Sequence, residues 1–283
     1  MRIIEQPAEL QAWALERRAA GRRIGLVPTM GNLHEGHLSL VRLAKAGADE
    51  TVVSVFVNPL QFGPNEDYAA YPRTFAEDCA KCGAEGVDVV FHPAPDAMYA
   101  PGASTTVRES ALTGVLCGAS RPGHFEGVCT VVCKLFHLAL PHVAVFGEKD
   151  AQQLRVIRRM VRDLDFPLEI VPGPIVREAD GLAMSSRNRF IPAGMRGQAL
   201  CLRRALDAAE AAFAAGERRV EALRGLMAET VRRVAPDGEV DYISLNDDET
   251  LEPLDGEISR PALAALAVRV GGPRLIDNAR LVP

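Results

Sequence analysis

The chain has 283 residues, 48% apolar and 24% charged, with a formal net charge of −5. That is globular composition, with apolar material for a sizeable core in one large or two modest domains. The acidic balance argues against a general nucleic-acid binder, which carries a basic excess, but a few local cations suffice for an anionic small molecule.

The opening MRIIEQPAELQAWALERRAAGRR carries charges throughout and no long apolar run, so it does not read as a signal peptide. No run approaches the roughly 18 apolar residues of a membrane span. RIGLVP (23–28) is a short apolar run bounded by charge and proline, hence a buried strand. GHLSLVRLAKAGA (36–48) has a helical period. ETVVSVFVNP (50–59) is rich in β-branched residues and predicts a second strand. FAEDCAKCGAEG reads as helix and VDVVFHP (87–93) as strand. HFEGVCTVVCKLFHLAL predicts a long buried helix. HVAVFG (142–147), DAQQLRVIRRMVRDL and LEIVPG (168–173) follow as strand, helix and strand. The basic text RVIRRMVRD (155–163) alternates with Val, Ile and Met, and reads as a solvated helix face. Repeated alternation of this kind predicts a parallel sheet covered on both faces.

The pattern changes near residue 175. Residues 198–235 are Ala-rich and predict two helices broken near Gly216. VDYISLND reads as strand, ALAALAVRV as strand or helix, and PRLIDN as a short strand. The expected organisation is a domain of residues 1–175 and a smaller α+β domain of residues 176–283.

The six cysteines do not form the disulfide framework of a short secreted chain, and a cytoplasmic protein with reduced thiols is expected. Cys79 and Cys82 form a C-x-x-C, and Cys129 and Cys133 lie four apart. Both pairs fall in helical text, where cysteine behaves as a small apolar residue.

Four stretches hold chemistry-bearing residues. In VPTMGNLHEGHLSLV (27–41), His34 and His37 stand between a strand and a helix, at the sheet edge where ligands bind. The helix start offers N–H groups to anions, and an imidazole there can bond phosphate oxygens. Zinc is disfavoured because the H-E-x-x-H pattern needs histidines four apart, and these are three apart. Structural histidines remain an alternative. After the second strand, Asn58 and Gln61 can read a small polar substrate, or simply belong to an Asn-Pro turn. In VAVFGEKDAQQL, Lys149 can reach phosphates, Asp150 can cap the helix or bind a ribose hydroxyl, and Gln153 shares that face; a capping turn with exposed charges fits equally. In DGLAMSSRNRFI, Ser185, Ser186 and Arg187 can grip a triphosphate, or form a hydroxyl-bonded turn. No cysteine or serine sits in a triad-like setting, so no acyl-accepting nucleophile is evident.

Together these stretches resemble a known family. HEGH is similar to the H-x-G-H signature of class I nucleotidyl-transfer enzymes, and AMSSR to their second signature. With FVNPLQFGPNEDYAAYPRT, SRPGHFEGV, FGEKDAQQL, VREADGLAMSSRN and RLIDN, the whole chain resembles the pantoate–β-alanine ligases. The resemblance implies an α/β fold, with a Rossmann-like N-terminal domain of the class I nucleotidyl-transfer type and a smaller C-terminal domain, in a cytoplasmic homodimer. It implies ligation of pantoate and β-alanine with ATP and Mg²⁺, through a pantoyl adenylate. His37, His34 and Lys149 would be the catalytic residues. Met30, His34, His37, Gly147, Glu148, Lys149, Asp150, Val176 and Met184 through Arg187 (Met184, Ser185, Ser186, Arg187) would bind ATP. Asn58, Gln61 and Gln153 would bind substrate, with Tyr71 and Arg121 at the pocket rim. No protein metal site, nucleic acid or membrane partner is implied. Two positions depart from the pattern: Ala151, commonly aromatic, and Ala183, where the second signature has a leading lysine. Rival readings are adenylyl transfer onto a phosphate, a tRNA synthetase and a non-catalytic nucleotide sensor. The amides of NPLQF, the acidic chain and the retained histidines argue against them in turn.

Overall fold

The computed structural model describes residues 1–64 and 66–283; Asn65, inside the FVNPLQFGPNEDYAAYPRT stretch, lies outside the described residues. The chain forms two compact units. The first comprises Met1–Glu109, Arg121–Glu148 and Gln153–Pro174; the second comprises Ser110–Ser120, Lys149–Gln152 and Ile175–Pro283.

The first unit is built on a six-stranded parallel sheet. Its strands are β1 (Arg2–Ile4), β2 (Ile24–Thr29), β3 (Glu50–Val55), β4 (Val89–Phe91), β5 (Val143–Gly147) and β6 (Glu169–Gly173), in the order β1-β4-β3-β2-β5-β6. All five pairings are parallel. The helices are α1 (Pro7–Ala19), α2 (Glu35–Gly47), α3 (Phe75–Ala84), α4 (Pro95–Met98), α5 (Leu116–Ser120, in the second unit), α6 (His124–Ala139) and α7 (Ala151–Asp163). Val27, Val53, Val90 and Val145 pack with Leu40, Val41 and Ala44 of α2 and Cys82 of α3. Their strand neighbours Leu26, Val52, Phe91 and Ala144 point the other way and are buried too. Burial on both faces is why these strands read as continuous apolar runs rather than alternating ones.

β1 and α1 were not among the elements legible in the sequence. β1 has three residues and pairs only with β4 at the sheet edge. The helix signals of α1 are weak but present: Pro7 at its start, Glu9 in its first turn, Arg17 and Arg18 in its last. On α7, Leu154, Val156, Ile157 and Met160 are buried while Arg158 and Arg162 face solvent.

The second unit carries an antiparallel sheet in the order β7-β8-β9, formed by Glu239–Asp247, Ala262–Arg269 and Arg274–Leu281. Helices α8 (Arg196–Ala199), α9 (Cys201–Ala214) and α10 (Val220–Val234) accompany it. Leu202, Leu206, Leu223 and Met227 form a core with Ala262, Ala264, Leu266 and Val268 of β8. The alternate residues Leu263, Ala265 and Ala267 are buried as well. That burial explains why ALAALAVRV has no strand-like alternation and was ambiguous with helix.

Cys82, Cys129 and Cys201 are buried, and burial pushes each thiol up to about 12. They act as small apolar core residues.

One close approach fixes the geometry after β3. Gly127 of α6 lies directly on the turn Pro59–Gln61: a Cβ there would stand 2.3 Å from the Leu60 carbonyl oxygen and 2.6 Å from the Gln61 nitrogen. Both obstacles are backbone and cannot rotate away. Gly127→Ala should therefore destabilise the protein by at least about 2 kcal/mol, the scale of an overpacked core, read as a lower midpoint in urea unfolding.

Candidate active site

In an open parallel sheet, ligands bind beyond the carboxyl ends of the strands, where the strand order reverses. Here that point lies between β2 and β5: the chain moves from β2 outward to β3 and β4, then returns to β5 on the other side of β2. Segments expected to bind ligand follow the ends of β2, β3 and β5.

The loop after β2 is held by a carboxylate. Asp78 on α3 is fully buried and accepts from the N–H groups of Asn32 (2.9 Å) and Leu33 (2.7 Å) and from the Thr74 hydroxyl (3.2 Å). Gly31 adopts φ +81°, and a Cβ there would meet Asp78 Oδ2 at 2.9 Å. Lys81 Nζ donates to the Leu33 carbonyl at 2.7 Å. The loop delivers His34 as the extended residue that opens α2. The backbone N–H of His34 donates to His37 Nδ1 at 3.3 Å, and the two rings lie 4.1 Å apart. A ring nitrogen that accepts carries no proton, so the neutral His37 bears its proton on Nε2. That N–H is the group His37 can offer to an oxygen.

After β3, Asn58 caps the turn Pro59–Gln61. Its Nδ2 donates to Gln61 Oε1 (3.1 Å) and to the Gly127 carbonyl (3.0 Å). Its Oδ1 accepts from the Leu60 N–H (3.3 Å) and the Tyr99 hydroxyl (2.7 Å). Two hydrogens and two lone pairs are the whole bonding capacity of that amide. Asn58, expected to contact substrate, is buried here and bonds the side chain of Gln61. Gln61 Nε2 lies 3.1 Å from Met30 Sδ, a weak acceptor. The Gln61 carbonyl accepts from Arg121 (3.3 Å) and faces His124 Nδ1 at 2.8 Å. Arg121 also grips Glu66 through two contacts of 2.7 and 2.6 Å. Burial opposes ionisation of Glu66, but the Arg121 guanidinium outweighs it and holds the carboxyl below its ordinary range. Tyr71 is buried, its ring 5.9 Å from Phe62.

At the end of β5, Gly147 is half-buried and Glu148 exposed; Gln153 on α7 is half-buried. Its neighbour Gln152 is the structural glutamine, buried and donating to the carbonyls of Leu112 and Val115, each at 2.8 Å.

The second unit holds the other expected residues. Lys149 and Asp150 lie in a short 3-10 turn, with Lys149 Nζ 3.7 Å from the Asp150 carboxylate. The Lys149 carbonyl accepts from Asn278 Nδ2 at 3.0 Å. Residues 176–184 form a tight hairpin: Met184 N–H donates to the Val176 carbonyl at 2.9 Å, and Gly181 turns the tip at φ +95°. Ser185 caps the next turn, Ser186–Phe190, accepting from the Arg187 N–H at 3.3 Å. Ser186 and Arg187 are half-buried in it. The hairpin is fastened to β9 by Arg177, which meets both oxygens of Asp277 at 2.7 and 3.1 Å and also bonds the Gly181 carbonyl. Asp277 Oδ1 accepts from the Asn278 N–H as well. One buried carboxylate thus underlies both the Lys149 turn and the Ser-Ser-Arg stretch. Asp78, Tyr99 and Asp277 were not singled out in the sequence. Their only signals there were a carboxylate four residues before a buried cysteine and the R-L-I-D-N text.

A family model described as pantoate-beta-alanine ligase matches residues 2–280. The chain belongs to the pantoate–β-alanine ligase family. It is an enzyme of the ligase class. A pantothenate synthetase of Thermotoga neapolitana is 53% identical over 98% of this chain and 99% of its own length. One of Acidobacterium capsulatum is 58% identical over 92% of this chain and 86% of its own. Among solved structures, the pantothenate synthetase of Thermus thermophilus superimposes with a TM-score of 0.94 at 47% identity, covering 100% of both chains. A pantoate–β-alanine ligase of Francisella tularensis, complexed with β-γ ATP and β-alanine, gives 0.79 at 31% identity over 99% of this chain and 97% of that one.

Two outcomes test how the ligase holds these residues. Asp277→Asn should destabilise the second unit by about 3 kcal/mol, because Arg177 then lacks its charge partner in a site only 1% exposed on the aspartate side. Replacing both, Arg177→Met with Asp277→Leu, should recover part of that loss in the same denaturation experiment. The Glu66–Arg121 pair should show in acid. A glutamate with a depressed folded pKa adds stability that is complete above its unfolded value of about 4.5 and disappears as pH falls through the lower folded value. Glu66→Gln should therefore flatten the loss of stability between about pH 5 and 3, followed by melting temperature against pH.

Proposed function

We propose that the enzyme joins pantoate to β-alanine with ATP in two steps. A pantoate carboxylate oxygen attacks the α-phosphorus of ATP, the bond to the bridging oxygen breaks, and pyrophosphate leaves. The amine of β-alanine then attacks the acyl carbon of the pantoyl adenylate, losing a proton, and AMP departs. The observation that carries this reading is the His34–His37 arrangement. It presents an Nε2–H donor at the sheet edge where negative charge would build on the phosphates. The sequence resemblance gives ATP its other contacts: Met30, His34, Gly147, Glu148, Lys149, Asp150, Val176, Met184, Ser185, Ser186 and Arg187. Gln61 and Gln153 would hold pantoate.

Mg²⁺ would arrive with the triphosphate. Magnesium commonly keeps waters and takes one or two carboxylates plus substrate phosphates, so a three-residue protein cage is not required. The exposed carboxylates of Glu148 and Asp150, on either side of Lys149, are the oxygens this turn offers. When bound, the ion would neutralise charge on the phosphate oxygens. The resemblance also supports a homodimer working in the cytoplasm.

ATP–pyrophosphate exchange should require pantoate and proceed without β-alanine. Exchange that begins only when the amine is added would overturn the two-step order. His37→Ala should slow adenylate formation ~100- to 1,000-fold, roughly 3–4 kcal/mol, chiefly in kcat. The amine-transfer half-reaction, started from supplied pantoyl adenylate, should suffer less because pyrophosphate has already left.

A further inference from the structure

The polarity of Gln61 is decided by groups whose own polarity is not in question. The Leu60 backbone N–H can only donate, so the Asn58 atom facing it is the oxygen. The Gly127 carbonyl can only accept, so the Asn58 atom facing it is the nitrogen. With Asn58 so oriented, its Nδ2 must meet the oxygen of Gln61. Gln61 therefore turns its NH₂ group away, toward the thioether of Met30. A sulfur is a poor partner for an amide hydrogen, so a carboxylate or hydroxyl oxygen would improve on it.

The remaining lone pair of Asn58 Oδ1 is taken by the Tyr99 hydroxyl at 2.7 Å, shorter than the 3.3 Å bond from Leu60. Tyr99 reaches this point because α4 ends at it: its N–H closes on the Pro95 carbonyl at 2.8 Å. Its ring is held independently, 6.3 Å from Phe56 and 5.9 Å below Lys134 Nζ. The hydroxyl thus has one task that the ring does not share.

We infer that Tyr99 is a positioning residue for substrate recognition: through Asn58 it keeps Gln61 turned as a hydrogen-bond donor toward an oxygen of pantoate. This rests on the proposed function and adds a residue that lies outside the motifs shared with the family. Without the hydroxyl, Asn58 keeps one weak bond to its oxygen, and the amide pair is freer to leave the orientation that presents Gln61 Nε2.

The test is Tyr99→Phe in the full-length enzyme, which keeps the ring contacts and removes only the oxygen. In ATP–pyrophosphate exchange, the KM for pantoate should rise roughly 5- to 10-fold, the worth of one well-made hydrogen bond. The KM for ATP and the melting temperature should stay near wild type. The Tyr99→Phe effect should vanish in a Gln61→Ala background, since Tyr99 acts through Gln61. Where that background is too slow for kinetics, the side-chain amide NMR signals of Gln61 should shift on Tyr99→Phe. An unchanged KM for pantoate, equal rises for both substrates, an effect that persists without Gln61, or unmoved Gln61 signals would each overturn the inference. Failure of the wild-type enzyme to exchange with pantoate would instead overturn the proposed function.

Discussion

A buried carboxylate needs donors, and Asp78 finds them in the backbone of a loop 45 and 46 residues earlier. Leaving such a charge without hydrogen bonds costs more than most single contacts supply. The loop after β2 is therefore shaped to satisfy it: Gly31 in the left-handed region, and Asn32 and Leu33 with their N–H groups turned inward. The direction from which α2 begins follows from that shape, and with it the seating of His34 and His37. The placement of the imidazoles thus follows from a carboxylate on another helix.

The same economy recurs elsewhere. Asn58 is oriented by a main-chain donor and a main-chain acceptor, and the backbone of Lys149 is held through its carbonyl. Rigid backbone fixes a polar side chain, and that side chain fixes the next. A chain of this kind loses little side-chain entropy when a ligand arrives, because the rotamers are already chosen. Gly127 makes one such chain possible, since only a hydrogen at its α-carbon lets α6 sit against the turn bearing Asn58 and Gln61.

The parallel sheet was legible because its strands are apolar throughout and punctuated by helical periods. β8 was ambiguous for the same physical reason that made the others clear: burial on both sides erases alternation. β1 escaped because three residues cannot show a period. Among the candidate residues, His34, His37, Gln61 and Lys149 are visible because they sit in compact motifs beside turns. Asp78, Tyr99 and Asp277 are not. Tyr99 meets Asn58 across 41 residues and Asp277 meets Arg177 across 100, and such partners are chosen by topology rather than by local pattern. Asn58 was visible as a polar residue at a strand end, yet its supporting position depends on Gly127, 69 residues away.

The hold on Lys149 has a consequence for how the molecule is made. Its carbonyl waits for Asn278, 129 residues further along. At roughly 5–20 residues per second, a ribosome takes about 6–26 s to add that length. Every strand of the parallel sheet is already translated by Gly173. The sheet can pair, and its helices pack, while the lysine turn still lacks its holder. Order of synthesis thus separates two events in time: the loop that seats the histidines can form on a nascent chain as soon as Asp78 has been made, and the lysine turn gains its holder only after Asn278 has been added.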